Sequence, residues 1–143
     1  MLALVEDNAD DEELTLRAFR RAGLPNRVQV LRDGGEAVDY LLGTASRAAQ
    51  GGPARVPHVV LLDLKLPRID GLEVLRRLRA DERTKLLPVI VLTASEQDRD
   101  IVESYGLGAD GYIVKPVDMA KLEQAVEQLG LYWVRVEQDA PGA

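Results

Sequence analysis

The sequence contains no cysteine and a single histidine, His58. Lack of cysteine excludes a disulfide scaffold, a thiol nucleophile and a thiolate zinc site. One histidine excludes a multi-histidine metal site, and His58, just before an apolar run, reads as structural. No apolar stretch approaches the ~18 residues of a membrane span. The opening Met1-Leu2-Ala3-Leu4-Val5-Glu6 lacks the basic segment of a secretory signal, so a cytoplasmic location is expected. No Walker A or G-x-G-x-x-G pattern is present, and no nucleotide cradle is expected. Basic residues are in the minority: 18 Lys and Arg against 24 Asp and Glu leave a net charge of -6. With the arginines scattered, this argues against direct DNA binding.

What is present fits one globular domain. The 143 residues are 46% hydrophobic and 29% charged, enough for one core and too few for two, so within them no attached DNA-binding or enzymatic module is expected. Short apolar runs alternate with amphipathic stretches. Leu2 to Val5 is followed by a helical stretch from Asn8 to Ala22, with Leu14, Ala18 and Ala22 as its stripe and Gly23 and Pro25 as its stop. Val28, Val30 and Leu31 form a second strand. Ala37, Val38, Leu41 and Leu42 fit a short helix, and Gly43 to Pro57, containing Gly51-Gly52-Pro53, reads as an exposed loop.

Val59-Val60-Leu61-Leu62-Asp63 is continuously apolar and ends in an acid, the pattern of a strand buried on both faces. Leu72, Leu75, Leu78 and Arg79 suggest a third helix. Pro88 to Thr93 is a fourth strand, and Ser95-Glu96-Gln97-Asp98 is a capping box that opens a fourth helix. Gly111 to Val114 is a fifth strand ending at Lys115-Pro116. Asp118 caps a fifth helix, with Leu122, Ala125, Val126 and Leu129 on one face and Gly130 as its stop. Five βα units predict an α/β fold: a five-stranded parallel sheet with helices on both faces.

In such sheets ligands bind at the carboxyl ends of the strands. Those ends carry Glu6-Asp7, Asp63, Thr93 and Lys115. Clustered carboxylates call for a cation, and all-oxygen ligands suit Mg²⁺. Carboxylates, Mg²⁺, a lysine and a hydroxyl together describe phosphoryl transfer, with Asp63 on the central strand as the natural nucleophile.

These residues resemble a family, the receiver domains of bacterial response regulators. The resemblance is carried by Leu4-Val5-Glu6-Asp7-Asn8, by Leu61 to Gly71 (LLDLKLPRIDG), by Val91-Leu92-Thr93-Ala94, and by Gly108 to Pro116 (GADGYIVKP). It runs from Leu2 to Gly130, so residues 1–130 are taken as the receiver and 131–143 as a C-terminal extension. It implies the flavodoxin-like strand order 2-1-3-4-5. It casts Asp63 as phospho-acceptor, Asp7 as a direct Mg²⁺ ligand, Glu6 as a ligand through water and the Lys65 backbone carbonyl as a further ligand. Thr93 and Lys115 would bind the phosphoryl group, Tyr112 would be the aromatic switch, and the Lys115-Pro116 bond would be cis.

A closer similarity is to single-domain regulators partnered with bacterial phytochrome histidine kinases. It rests on Glu6 to Asp11 (EDNADD), the Gly43–Pro57 linker and Leu131-Tyr132-Trp133. The implied partners are a sensor histidine kinase or phosphotransfer protein and a second copy of the chain. The homodimer would form through the fourth helix, fifth strand, fifth helix and tail, with no direct DNA or membrane contact. The run Asp10-Asp11-Glu12-Glu13 reads as a solvated helix start. Two other functions compete. A haloacid-dehalogenase-like phosphatase also uses a strand-end aspartate and Mg²⁺, but needs a second aspartate where Lys65 stands. A phosphorylation-independent interaction module would not need Asp7, Asp63, Thr93 and Lys115 intact.

Overall fold

A computed structural model of the chain describes residues 2–21, 28–51, 57–95 and 106–128. Its strands are β1 (Leu2–Val5), β2 (Val28–Leu31), β3 (Val59–Asp63), β4 (Val89–Thr93) and β5 (Gly111–Val114). Its described helices are α1 (Ala9–Arg21), α2 (Gly34–Ala49), α3 (Gly71–Ala80) and α4 (Met119–Gln128). The five strands form one parallel sheet in the order β2-β1-β3-β4-β5, the order the resemblance implies.

The two central apolar runs become strands because both of their faces are covered. Alternate side chains go to opposite layers. Val60, Leu62, Val89 and Val91 pack with Ala37 and Leu41 of α2 and Val74, Leu75 and Leu78 of α3. Val59, Leu61, Ile90 and Leu92 pack with Ala18 and Phe19 of α1 and Leu122 and Ala125 of α4. All five residues of β3 and of β4 are buried, which is why their sequences show no polar alternation.

Two expectations are corrected. The second helix does not stop at Leu42; α2 runs through Gly43 to Ala49. The Thr44–Ala49 segment is alanine-rich, and alanine's helix preference outweighs the ~1 kcal/mol cost of one glycine. Thr44 is buried, its hydroxyl donating to the Leu41 carbonyl at 3.2 Å. On α1 the buried stripe is Thr15, Ala18 and Phe19, while Leu14 is 40% exposed. Burying the phenyl ring turns the helix so that Leu14 faces outward.

The caps follow the sequence. Asp118 accepts from the Lys121 N–H at 2.8 Å, and Asp70 accepts from the Glu73 N–H at 2.9 Å. The Lys115-Pro116 bond is cis. Several expectations lie outside the described residues. These are Ala22 and the stop at Gly23 and Pro25, Gly52-Pro53, the helix predicted to follow Ser95, the side chain of Val126, Leu129, the stop at Gly130 and the 131–143 extension. Among the described residues, no helix is long and apolar enough to cross a membrane.

Candidate functional site: an acid cluster closed by one lysine

β1, β3, β4 and β5 are successive neighbours, so their carboxyl ends lie side by side. The ladder continues one residue past each strand. Leu64 N–H donates to the Leu92 carbonyl at 3.2 Å and Lys115 N–H to the Thr93 carbonyl at 2.7 Å. This fixes where Asp63, Thr93 and Lys115 leave the sheet. Behind Asp63, helix α3 begins at Gly71. A Cβ there would stand 2.3 Å from the Asp63 carbonyl oxygen, so only glycine lets the helix start this close.

Glu6, Asp63 and Thr93 are buried, at 0%, 4% and 3% exposure, whereas Asp7 is exposed. Carboxylate oxygens of Glu6, Asp7 and Asp63 lie within 4.8 Å of one another. The Lys115 ammonium reaches into them, 2.8 Å from Asp63 Oδ2 and 2.8 Å from Glu6 Oε1. It also lies 2.9 Å from Asp11 Oδ2. Asp63 Oδ1 accepts the Lys65 backbone N–H at 3.0 Å. The Thr93 hydroxyl is engaged with its own loop, accepting from Ser95 N–H and donating to the Ser95 carbonyl, both at 3.4 Å. Tyr112 stands on β5, 37% exposed.

The electrostatics follow from this crowding. Burial pushes the Glu6 carboxyl up to about 8, and the neighbouring Asp63 adds to the rise while Lys115 opposes it. Burial also works against the Lys115 ammonium, but the carboxylates of Asp63, Glu6 and Asp11 around it outweigh that cost and hold the lysine above its ordinary value. Glu6 Oε1 is buried and, although ion-paired with Lys115, makes no aligned hydrogen bond. Three carboxylates sharing 4.8 Å, one with an unsatisfied buried oxygen, make a donor set that fits a hard divalent cation.

The structure thus brings together Glu6, Asp7, Asp63 and Lys115, with Thr93 on the adjoining strand end. Asp11 is a residue the sequence reading passed over as a solvated helix start. Asn8 caps α1 by accepting the Asp11 N–H at 2.9 Å, which sets Asp11 in the first turn. The available signal was that this turn follows directly on the β1 strand end.

Comparison with known proteins agrees. The model of the "Response regulator receiver domain" family matches residues 2–127. The probable methanogenesis regulatory protein FilR2 of Methanothrix harundinacea (strain 6Ac) is 41% identical, over 94% of this chain and 83% of that protein. The solved structure of the bacteriophytochrome response regulator AtBRR is 45% identical with a TM-score of 0.80, covering 92% of this chain and 93% of that one. The Mn²⁺-bound form of response regulator Rcp1 is 31% identical with a TM-score of 0.70, covering 91% of this chain and 93% of that chain. The five-stranded receiver fold is thus shared with these regulators, and the chain belongs to the response-regulator receiver domain family of two-component signalling.

Proposed function

We propose that this chain is a phosphorylatable switch whose acceptor is Asp63. The observation that carries the reading is the placement of that carboxylate. It is buried at the end of the central strand, 2.8 Å from the Lys115 ammonium and inside the Glu6-Asp7 acid cluster. An oxygen of Asp63 attacks the phosphorus of a phosphohistidine or an acyl phosphate. The new O–P bond forms as the P–N or P–O bond breaks, and the leaving group keeps the electron pair. Lys115 then ion-pairs with the phosphoryl oxygens, and Thr93 exchanges its Ser95 contacts for one of them. Asp7 and Asp63 directly, Glu6 through water and the Lys65 carbonyl would hold Mg²⁺, which would neutralise phosphoryl charge. The family is a signalling one rather than an enzyme family, which weighs against the phosphatase alternative.

The test is acetyl phosphate with Mg²⁺, followed by intact mass. A labile gain of one phosphoryl group on the wild type, and none on Asp63→Asn, is the expected result. Full-rate labelling of Asp63→Asn would move the acceptor elsewhere.

The proposed physiological donor is a sensor histidine kinase, directly or through a phosphotransfer protein, in the cytoplasm. The likeness to AtBRR supports a phytochrome among kinases. The proposed output surface is the β5–α4 face, used to form a homodimer. Tyr112 lies there as the switch, beside an open groove of about 530 Å³ walled by Val114, Lys121 and Gln128. The tail Leu131-Tyr132-Trp133 supplies anchors of the kind interfaces use. Sedimentation of the intact chain against one truncated at Gly130 tests this. Dimers that weaken on truncation support it, and a monomer at tens of micromolar rejects it.

A further inference from the structure

The corner between β2 and α2 is built against the loop that leaves Asp63. Gly34, the first residue of α2, donates its N–H to the Pro67 carbonyl at 3.3 Å. A Cβ at position 34 would stand 1.6 Å from the Ile69 carbonyl oxygen and 2.5 Å from its carbon, so any side chain there must push the loop away. On the same loop Arg68 has φ of 67°, the left-handed region that non-glycine residues avoid. Its guanidinium lies over Gly35, where a Cβ would be 2.7 Å from it, and reaches both oxygens of Asp33 at 3.4 Å. Asp33 is itself fixed as the cap of α2, accepting the Glu36 N–H at 2.7 Å.

The loop is short and pinned at its other end. Lys65 N–H is bonded to Asp63 Oδ1 at 3.0 Å, and Gly71 N–H to the Leu64 carbonyl at 3.0 Å. A strained residue persists only where the surroundings over-determine it, and such strain gathers at functional sites. Here the surroundings are the β2–α2 corner, and the loop is the one whose backbone adjoins the acid cluster.

We infer that Gly34 and Arg68 are positioning residues: the β2–α2 corner sets the 64–70 loop so that the Lys65 backbone completes the divalent-cation site of Glu6, Asp7 and Asp63. The inference rests on the cation site proposed above and extends it to two residues that touch no carboxylate of the cluster.

Adjacent glycines give a matched test, read as Mg²⁺ affinity by calorimetry on the intact chain. Alanine favours a helix at both positions, so a purely helical effect is alike for both. Gly35→Ala displaces only the tip of the flexible Arg68 and should weaken Mg²⁺ binding no more than Arg68→Gly does. Gly34→Ala meets backbone and should bind about tenfold more weakly, the usual loss when a supporting contact is disturbed. Arg68→Gly keeps the left-handed backbone without strain but frees the loop from Asp33. It should weaken Mg²⁺ binding several-fold without lowering the melting temperature, a split that a merely structural role does not produce. A folded Gly34→Ala that binds Mg²⁺ as tightly as wild type overturns the inference. If Gly34→Ala does not fold, Arg68→Gly decides, and wild-type affinity there overturns it. Wild type that binds no Mg²⁺ removes the cation site and this inference together, whereas the glycine and Arg68 outcomes leave the site standing.

Discussion

The Lys115 ammonium lies 2.9 Å from Asp11 Oδ2, joining the end of β5 to the first turn of α1 across 104 residues of sequence. The same nitrogen holds Asp63 and Glu6, so one cation serves three carboxylates. Its partners differ in what they would lose with it. The Asp11 side chain is 33% exposed and has water to fall back on, whereas Glu6 and Asp63 do not.

Removing either partner of the Lys115–Asp11 pair should therefore give unequal results. Asp11→Asn is expected to cost below ~1 kcal/mol in urea denaturation, as for other partly exposed pairs. Lys115→Ala leaves two buried acids facing each other and should cost about 3 kcal/mol without divalent cations. Added Mg²⁺ should recover part of the second loss. Equal costs for the two variants would make Asp11 as integral to the cluster as Asp63.

Asp7 should oppose stability in the absence of a cation. It is exposed, yet its carboxylate stands among those of Glu6 and Asp63. Asp7→Asn relieves like-charge repulsion and should raise the cation-free stability by about 0.5 kcal/mol. It should also weaken Mg²⁺ binding by more than about tenfold, and by more than Glu6→Gln does, since a direct ligand is lost. Unchanged Mg²⁺ affinity would reject the site.

The raised Glu6 carboxyl gives the cation-free chain a pH dependence with a definite sign. Glu6 ionises near 4.5 in the unfolded chain and near 8 in the folded one. Between those values the folded state holds a proton that the unfolded state has lost. The stability tied to that proton is complete below about 4.5 and is lost as pH rises through about 8. Urea midpoints in a chelating buffer should fall from about pH 5 to pH 8.5 for wild type, and fall less for Glu6→Gln. Parallel curves for the two would place the titration elsewhere.

The strands β1, β3 and β4 and the residues at their ends were legible because burial on both faces leaves an unbroken apolar run. Val59 to Asp63 and Val89 to Thr93 needed no partner to be read. Their order in the sheet came from the family resemblance, since periodicity does not report which strands are neighbours. The length of α2 was not legible: Gly43 reads as punctuation, yet the alanine-rich segment after it outweighs one glycine and Thr44 packs into the interior. Nor was the turn of α1, where the size of Phe19 decides between two adjacent stripes. Asp11 and Arg68 escaped for a common reason. Each acts through a residue far away in sequence, Lys115 and Asp33, which only the topology brings near.

Arg79 is the clearest such case, and it separates stability from function. From the last turn of α3 its guanidinium donates to the carbonyls of Leu87 at 2.7 Å, Lys85 at 3.0 Å and Gly108 at 3.0 Å. It also pairs with Asp110 Oδ2 at 2.8 Å, which in turn accepts the Val89 N–H at 2.8 Å. One side chain, 16% exposed, thus ties α3 to the segments entering β4 and β5. These are the amino ends of the strands, opposite the acid cluster. Arg79→Ala should cost about 3 kcal/mol, because several carbonyls and a carboxylate lose a charged donor together. Arg79→Lys should recover little, since a single ammonium does not reproduce the planar fork. Mg²⁺ affinity and acetyl phosphate labelling of the folded variant should stay within about twofold of wild type. A loss of Mg²⁺ affinity as large as that of Asp7→Asn would show that the two ends of the sheet are coupled.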